Sequence, residues 1–218
     1  MNRSPARTRQ LLAREAARLM YEEGVDQYFT AKRMAAKRLF GPGGGRRLQF
    51  RPVDLPSNGE IQAALLRLAE STEGDRRTER LGAMRLCALG VMDALAAFAP
   101  RLIGSVSTGH IRRGSDIDLH VFSDDPDAPE THLSSLGWIY EKRIVEIRRQ
   151  GAWHTYLHLC VDAEFPVELT VYPRAELQRR PRSSTDGRPI DRLSVHDVRT
   201  LIRDEHPELA NTPIHVHL

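Results

Sequence analysis

Apolar residues recur every three to four positions through most of the first hundred residues, which is the spacing of amphipathic helices. The pattern predicts four helices, over residues 5–22, 26–40, 59–70 and 75–98. Ser57 or Asn58 is expected to cap the third helix, since either side chain can accept a hydrogen bond from a free backbone N–H. Pro100 is expected to end the fourth helix, because proline cannot continue one. The first part of the chain is therefore predicted to be helical.

After Pro100 the apolar residues alternate with polar ones or form short runs, and both patterns favour β-strands. The predicted strands cover residues 101–106, 116–122, 138–149, 152–160 and 165–172. A short helix is expected within 124–136, and a final helix runs from Ser194 to about Glu205, with Ser194 and Asp197 in a capping-box pattern. This order of elements predicts an α/β (α+β) protein with a small mixed β-sheet and packed helices.

A glycine-rich stretch, Gly41-Pro-Gly-Gly-Gly45, separates the first two helices from the rest of the chain. It lacks the Gly-Lys-Ser/Thr of a phosphate-binding loop and no strand precedes it, so we interpret it as a linker. We therefore expect a helical N-terminal extension over residues 1–45, a central domain over 58–175, and a C-terminal loop and helix over 176–218.

The charged residues are unevenly distributed along the chain. The 218 residues include 32 Lys and Arg against 29 Asp and Glu, a formal net charge of +3. Residues 1–51 hold 12 basic and 4 acidic side chains, so this arm has a net charge of +8 and the remainder is net negative. A basic arm can attract a polyanion such as RNA or DNA. A solvated helix surface explains the same charges, and the sequence leaves both interpretations open.

Composition also disfavours several classes of protein. The apolar runs are broken well before the roughly 20 residues that span a bilayer, so no contact with a membrane is expected. No secretory signal pattern is visible, and two isolated cysteines, Cys87 and Cys160, do not form a disulfide framework. We therefore expect a cytoplasmic protein rather than a membrane protein, a secreted toxin or a disulfide scaffold.

The candidate chemistry lies between residues 102 and 122. Asp116 and Asp118 are two positions apart on a predicted strand, so their side chains point to the same face. Neighbouring carboxylates repel each other unless a cation lies between them, and such hard oxygen ligands suit Mg²⁺ or Mn²⁺. Upstream, Gly104 lets the backbone approach a ligand closely, and Ser105 offers a hydroxyl group to phosphate oxygens.

The run Ile103-Gly-Ser105, ten further residues and then Asp116-Ile-Asp-Leu119 resembles the signature of the nucleotidyltransferase superfamily, whose members share the DNA polymerase beta-like fold. Small bacterial members of the minimal type also tend to carry a glycine and a serine at the positions of Gly109 and Ser115. The close match covers about 20 residues, and a looser one extends over 76–173.

The resemblance implies an enzyme that transfers a nucleoside monophosphate from ATP or another NTP to an acceptor hydroxyl and releases pyrophosphate. Asp116 and Asp118 would be catalytic residues that bind Mg²⁺ or Mn²⁺. The family usually has a third carboxylate on a later strand, for which Glu168 is the best candidate and Asp162 and Glu164 are alternatives. Many members have aspartate there, so Glu168 would reach one methylene further.

Five residues are candidates for holding the nucleotide: Gly104, Ser105, Ser115, Arg112 and Arg113. Small members of the family often have a basic residue in the turn after the Gly-Ser pair, where this chain has only uncharged residues. Arg112 and Arg113 would supply positive charge from the same loop instead, or be solvated surface residues.

The histidines give weaker signals. His154, Tyr156 and His158 alternate along one predicted strand, and Cys160 continues the same face, but no second ligand pair has the spacing of a zinc site. Contact with substrate or plain exposure is the preferred interpretation. His120 shares the face of Asp118, where it either lines the site or covers its edge.

The sequence does not specify the acceptor, which could be an RNA, a protein or a small molecule. An alternative function is a non-catalytic partner that keeps the nucleotidyltransferase fold, as an antitoxin-like protein or a nucleic-acid-binding module. The intact acidic pair and the intact Gly-Ser pair argue against this alternative, because a binding module has no need of either.

Overall fold

We describe the protein from a computed structural model, which covers residues 5–25, 27–41, 54–149, 152–182 and 189–213. The described residues up to Arg77 form one compact unit, and those from Thr78 onward form a second. None of the helices in these ranges combines the length and the apolar character that crossing a membrane requires.

The first unit consists of three helices: α1 (Pro5–Glu22), α2 (Tyr28–Phe40) and α3 (Asn58–Glu73). Their apolar faces share one core, built mainly from alanine and leucine side chains such as Leu12, Leu19 and Ala31. Ser57 caps α3 through a reciprocal capping box with Glu60, as its position in the sequence suggests. The interpretation of residues 41–45 as a linker falls outside the described residues beyond Gly41.

The sequence pattern assigns α3 to the central domain, but its buried side chains lie in the core of the first unit. Ile61, Ala64 and Leu65 pack with α1 and α2. Periodicity gives the buried face of a helix and not the element against which that face packs, so the partner of α3 is not readable from its own residues.

The second unit joins a five-stranded mixed sheet to helices, which confirms the predicted fold class. Along the chain it contains the greater part of α4 (Asp75–Ala94), β1 (Arg101–Ile103), α5 (Gly104–Thr108), β2 (Ile117–Phe122), α6 (Ala128–Ser135), β3 (Tyr140–Arg149), β4 (Ala152–Asp162), β5 (Pro166–Tyr172) and α7 (Val195–Glu205). The strand order is β1-β2-β5-β4-β3, in which β2 and β5 are parallel and all other neighbours are antiparallel.

Two predicted elements end earlier than expected. The strand predicted over 101–106 stops at Ile103, because Gly104 adopts a left-handed backbone angle (φ +73°) and begins the short helix α5. The helix predicted over 75–98 ends at Ala94, and a single 3₁₀ turn, Ala96–Phe98, follows it. Ser194 and Asp197 form the expected capping box at the start of α7.

One face of the sheet forms the core of the second unit. A row of leucines crosses it, with Leu102, Leu119, Leu169 and Leu159 on successive neighbouring strands. These side chains pack in one cluster with residues of α4, α6 and α7. Because side chains alternate along a strand, the residue before or after each leucine points to the opposite face of the sheet. Asp118 and Glu168 lie on that opposite face.

A buried arginine on α4, Arg85, fixes the position of α5. The guanidinium of Arg85 on α4 donates to the backbone oxygen of Val106 at 3.2 Å and to the carboxylate of Glu205 at 2.7 Å. Arg85 is 1% exposed, so the positive charge is stabilised by these acceptors rather than by water. The contact fixes the helix that begins at Gly104 relative to α4 and α7.

Candidate active site

The parallel pairing of β2 and β5 brings two acids side by side. Asp118 is the register partner of Glu168, and Asp116 stands one residue before β2 begins. Neighbouring strands lie roughly 4.8 Å apart, so residues in register on the same face have adjacent side chains. The site thus gathers three carboxylates, from Asp116, Asp118 and Glu168, and all three were candidates from the sequence.

Because Gly104 has no side chain, the carboxylate of Asp118 can lie directly against it. Ile103 pairs with Asp118 across β1 and β2, which puts the next residue, Gly104, against the Asp118 side chain. A Cβ atom at position 104 would lie 2.2 Å from Oδ2 of Asp118, far inside van der Waals contact. Glycine is therefore required here for the space that it leaves as well as for its left-handed backbone angle.

Burial and electrostatic repulsion both weaken the acidity of Asp118. Burial, the larger cause, and the negative charges of Asp116 and Glu168 together raise the pKa of Asp118 from 3.8 to about 7. Charge from His158 acts in the opposite direction. A carboxyl group with this pKa is half protonated at neutral pH, and a bound cation would shift it towards its ionised form.

Glu168 has a partner of its own on the next strand. Nδ1 of His158 donates a hydrogen bond to Oε1 of Glu168 at 2.8 Å, and this bond lowers the pKa of Glu168 despite partial burial. The His158 side chain is 12% exposed, and its Nε2 is buried without a hydrogen-bond partner among the described residues. The alternation along β4 marks His158 as a residue of one face, but pairing it with Glu168 requires the register of β4 and β5.

An open cleft of about 510 Å³ adjoins the carboxylates. Asp116 and Glu168 lie on its wall together with residues from the starts of β3 and β5 and the end of β4, such as Ile139, Cys160 and Pro166. Ile139, which is 78% exposed, adds apolar surface to the cleft, while Glu141, Arg143 and Asp162 line it with charged side chains. The cleft is large enough for a small molecule or for one end of a larger one.

The other predicted nucleotide-binding residues differ in burial and in their hydrogen-bond partners. Ser115 is buried, and its Oγ accepts a hydrogen bond from the backbone N–H of Arg112 at 2.9 Å, so it braces the turn that leads into Asp116. Ser105 lies half-buried in α5, directly after Gly104. Arg112 is half-buried and Arg113 is exposed in the loop between α5 and β2.

His120 lies beneath a residue that sequence reasoning missed. It is buried, and its Nδ1 accepts a hydrogen bond from Nε of Arg192 at 3.1 Å. The Arg192 guanidinium also lies over the rings of Phe122 and Tyr172, at 5.1 and 5.5 Å from their centroids. Arg192 thus covers His120, so His120 is buried under the C-terminal segment, an arrangement that neither alternative considered from the sequence describes.

The three acids suit a magnesium or manganese site in their chemistry. All their ligand atoms are carboxylate oxygens, the donors that these hard cations prefer. As the side chains stand, no three His, Cys, Asp or Glu residues within the described ranges are placed so that they could hold a metal ion together. Like charges repel when no cation lies between them, so convergence of the three acids on one ion would require that ion to be bound.

Comparison with known proteins adds no family assignment. No protein-family model matches the chain, and no curated protein matches it significantly. The functional interpretation therefore rests on the carboxylates and on the residues that surround them.

We expect Gly104→Ala to destabilise the protein more than Gly109→Ala does. Both glycines have nearly the same left-handed angle, φ +73° and +75°, so both changes carry a strain of about 1–2 kcal/mol. An added Cβ at position 109 meets its nearest neighbours at 3.6 Å, whereas at position 104 it meets the Asp118 carboxylate. Urea unfolding should give Gly104→Ala a further loss of about 1–3 kcal/mol.

The Asp118→Ala background isolates the cause of this difference. Once the carboxylate is gone, most of the excess cost of Gly104→Ala over Gly109→Ala should disappear, and only the 3.3 Å approach to Cβ of residue 118 should remain. An excess cost that persists undiminished in that background would contradict a close approach of the Asp118 carboxylate to Gly104.

We expect Asp118→Asn to stabilise the protein at pH 8. The pKa of Asp118 is 3.8 when unperturbed and about 7 in the fold, so the folded chain keeps a proton that the unfolded chain releases. Wild-type stability therefore falls as the pH rises through this window, and the loss is complete above it. Asparagine has no charge to bury, so its gain should reach about 2–4 kcal/mol at pH 8.

Urea unfolding at pH 5 and pH 8 measures this gain. The stability gain from Asp118→Asn should be smaller at pH 5. The control Asp125→Asn, at an exposed position, should change the stability little at either pH. An equal effect of Asp118→Asn at both pH values would rule out a raised pKa at Asp118.

Proposed function

We propose that the protein is a metal-dependent nucleotidyltransferase that transfers a nucleoside monophosphate from an NTP to an acceptor hydroxyl. The observation that carries the proposal is the parallel register of β2 and β5, which sets Asp118 beside Glu168 with Asp116 at the strand entry. The raised pKa of Asp118 supports it, because such perturbed groups cluster where function requires them.

The cofactor would be Mg²⁺ or Mn²⁺ held by Asp116, Asp118 and Glu168, where it would neutralise charge on the triphosphate. Gly104 and Ser105 would hold phosphate oxygens through their backbone N–H groups and the Ser105 hydroxyl. This placement is supported by the position of Gly104 against the Asp118 carboxylate, since phosphates and acids would then meet at one point.

Glu168 is the candidate for taking the acceptor's proton, because its carboxylate lies on the wall of the open cleft. Its hydrogen bond with His158 lowers its pKa, so the carboxylate is ionised at neutral pH. In the proposed reaction the acceptor oxygen loses its proton to Glu168 and forms a bond to the α-phosphorus. The bond from that phosphorus to the bridging oxygen breaks, and pyrophosphate leaves. A positioned base of this kind contributes about 10²–10⁴-fold to a rate.

The cleft beside Glu168 is the proposed entrance for the acceptor. It opens next to the carboxylate that would receive the proton, which is the position an attacking hydroxyl must reach. Its chemistry does not choose between an RNA, a protein and a small molecule as acceptor.

A transfer assay with α-labelled NTPs tests the proposed reaction. Each NTP is incubated with the protein, Mg²⁺ or Mn²⁺, total RNA and cell lysate, and we expect label on an acceptor from the wild type. Asp116→Ala/Asp118→Ala should lose at least about 10³-fold of this transfer, because positioning and electrostatics supply most of such catalysis.

The matched control is Asp124→Ala/Asp125→Ala, which removes two exposed acids from the other end of β2 and should retain activity. Equal labelling by wild type and the Asp116→Ala/Asp118→Ala variant would contradict the proposal. Binding of NTP without transfer under any condition would favour the non-catalytic alternative.

Charge in the first unit favours a nucleic acid as one partner. Arg18 and Arg38 are neutralised by Glu15, Glu22 and Glu23 in a network of ion pairs. Arg14 and Arg67 are exposed on opposite sides of a groove of about 460 Å³ between α1 and α3, and neither has an ion pair with any described residue. The carboxylate of Glu60 also lines the groove, so the two guanidinium groups leave it net positive, which suits contact with a phosphodiester backbone.

We expect Arg14→Gln/Arg67→Gln to weaken binding of single-stranded RNA or DNA and to flatten its salt dependence. The slope of log K against log salt should fall by about 1.4, because each lost phosphate contact contributes about 0.7. Fluorescence anisotropy with labelled oligonucleotides measures it. Arg33→Gln/Lys37→Gln removes the same charge from exposed positions on α2 and should leave the slope unchanged. Equal slopes for wild type and the groove variant would contradict a specific contact.

A further inference from the structure

The contact between His158 and Glu168 crosses two strands at an angle. Cys160 is the register partner of Glu168, and His158 is two residues away on the same face of β4. From there Nδ1 of His158 reaches Oε1 of Glu168 at 2.8 Å, and the imidazole is 12% exposed. A short, partly buried hydrogen bond of this kind favours one arrangement of both side chains.

A glutamate at this position needs such a contact more than an aspartate would. It has one more rotatable bond, so its carboxylate has more rotamers to choose between. The nearby negative charge of Asp118 also repels it. The nearby Arg143, on β3, donates its Nε and Nη2 to the carboxylate of Glu141 instead, at 3.0 and 2.7 Å. His158 is therefore the residue that supplies Glu168 with a side-chain donor here.

We infer that His158 is a positioning residue, which holds the Glu168 carboxylate by its Oε1 and would leave Oε2 free for a metal ion and the acceptor proton. The inference rests on the proposed function. The longer acid at position 168 can serve as a metal ligand and as a base because a histidine on the neighbouring strand fixes its carboxylate. Carboxylate ligands must be held to within about 0.5 Å, and supporting hydrogen bonds are the usual means.

Two amide substitutions separate this role from simple packing. In His158→Asn the side-chain nitrogen sits two bonds from Cβ, as Nδ1 does in histidine, so it can still donate to Oε1 of Glu168. In His158→Gln the nitrogen sits one bond further out and loses that position. Both variants are polar, so a purely structural role for His158 would not rank Asn above Gln.

The test is Mn²⁺ binding to the full chain in the presence of a non-hydrolysable NTP analogue, followed by electron paramagnetic resonance. We expect His158→Gln and His158→Ala to bind Mn²⁺ about 10–100-fold more weakly than wild type, and His158→Asn to regain most of the affinity. His154→Ala, an exposed histidine four residues away on β4, is the matched control and should bind as wild type does.

Kinetics give a second readout wherever transfer is detected. His158→Gln should lower kcat about 10–100-fold with little change in the KM for NTP, since the nucleotide is held by other residues. Equal Mn²⁺ affinity in wild type, His158→Gln and His158→Asn would overturn the inference, while loss of binding in Asp118→Asn would leave the proposed function standing. Absence of Mn²⁺ binding in the wild type itself would overturn both.

Discussion

Repulsion between carboxylates is the constraint on which the second unit depends. Parallel pairing of β2 with β5 sets Asp118 against Glu168 at one end of the sheet, and Asp116 stands beside them. Burial and these two neighbours raise the pKa of Asp118 to about 7. Folding alone would favour an apolar or neutral residue at position 118, and the acid found there supports the cation that we propose for this site.

The surroundings of the acids all serve to hold this unfavourable arrangement. Leucines on the opposite face of the same strands supply the burial that anchors β2 and β5. Gly104 leaves room for the Asp118 carboxylate, and Arg85 secures the helix that Gly104 begins. Ser115 closes the turn before Asp116, and His158 holds Glu168. Each of these residues fixes a position rather than adding to the acidic chemistry.

Much of the fold was predictable because its signals are local. The bounds of α1 agree with the helical periodicity at both ends, and both capping boxes follow from a serine with an acid three residues later. The alternation around Asp116 and Asp118 predicts correctly that Asp118 lies on the face opposite Leu119. Glu168 was identifiable as an acid placed between apolar residues of a strand.

What could not be predicted depends on contacts between distant segments. The partner of α3 is set by tertiary packing, and the bond between His158 and Glu168 is set by the register of β4 and β5. Arg192 reaches His120 from a loop 72 residues later, and its own neighbours give no sign of that contact. The short helix α5 replaces the second half of the strand predicted over 101–106, because Gly104 changes the direction of the chain.

The most direct test of the account is a crystal structure of the protein grown with Mn²⁺ and a non-hydrolysable NTP analogue, with anomalous scattering used to locate the manganese. The account predicts an anomalous peak bonded to carboxylate oxygens of Asp116 and Asp118, with Glu168 turned towards the same site and still bonded to His158. Nucleotide bound without manganese at these acids, or manganese bound elsewhere on the protein, would contradict it.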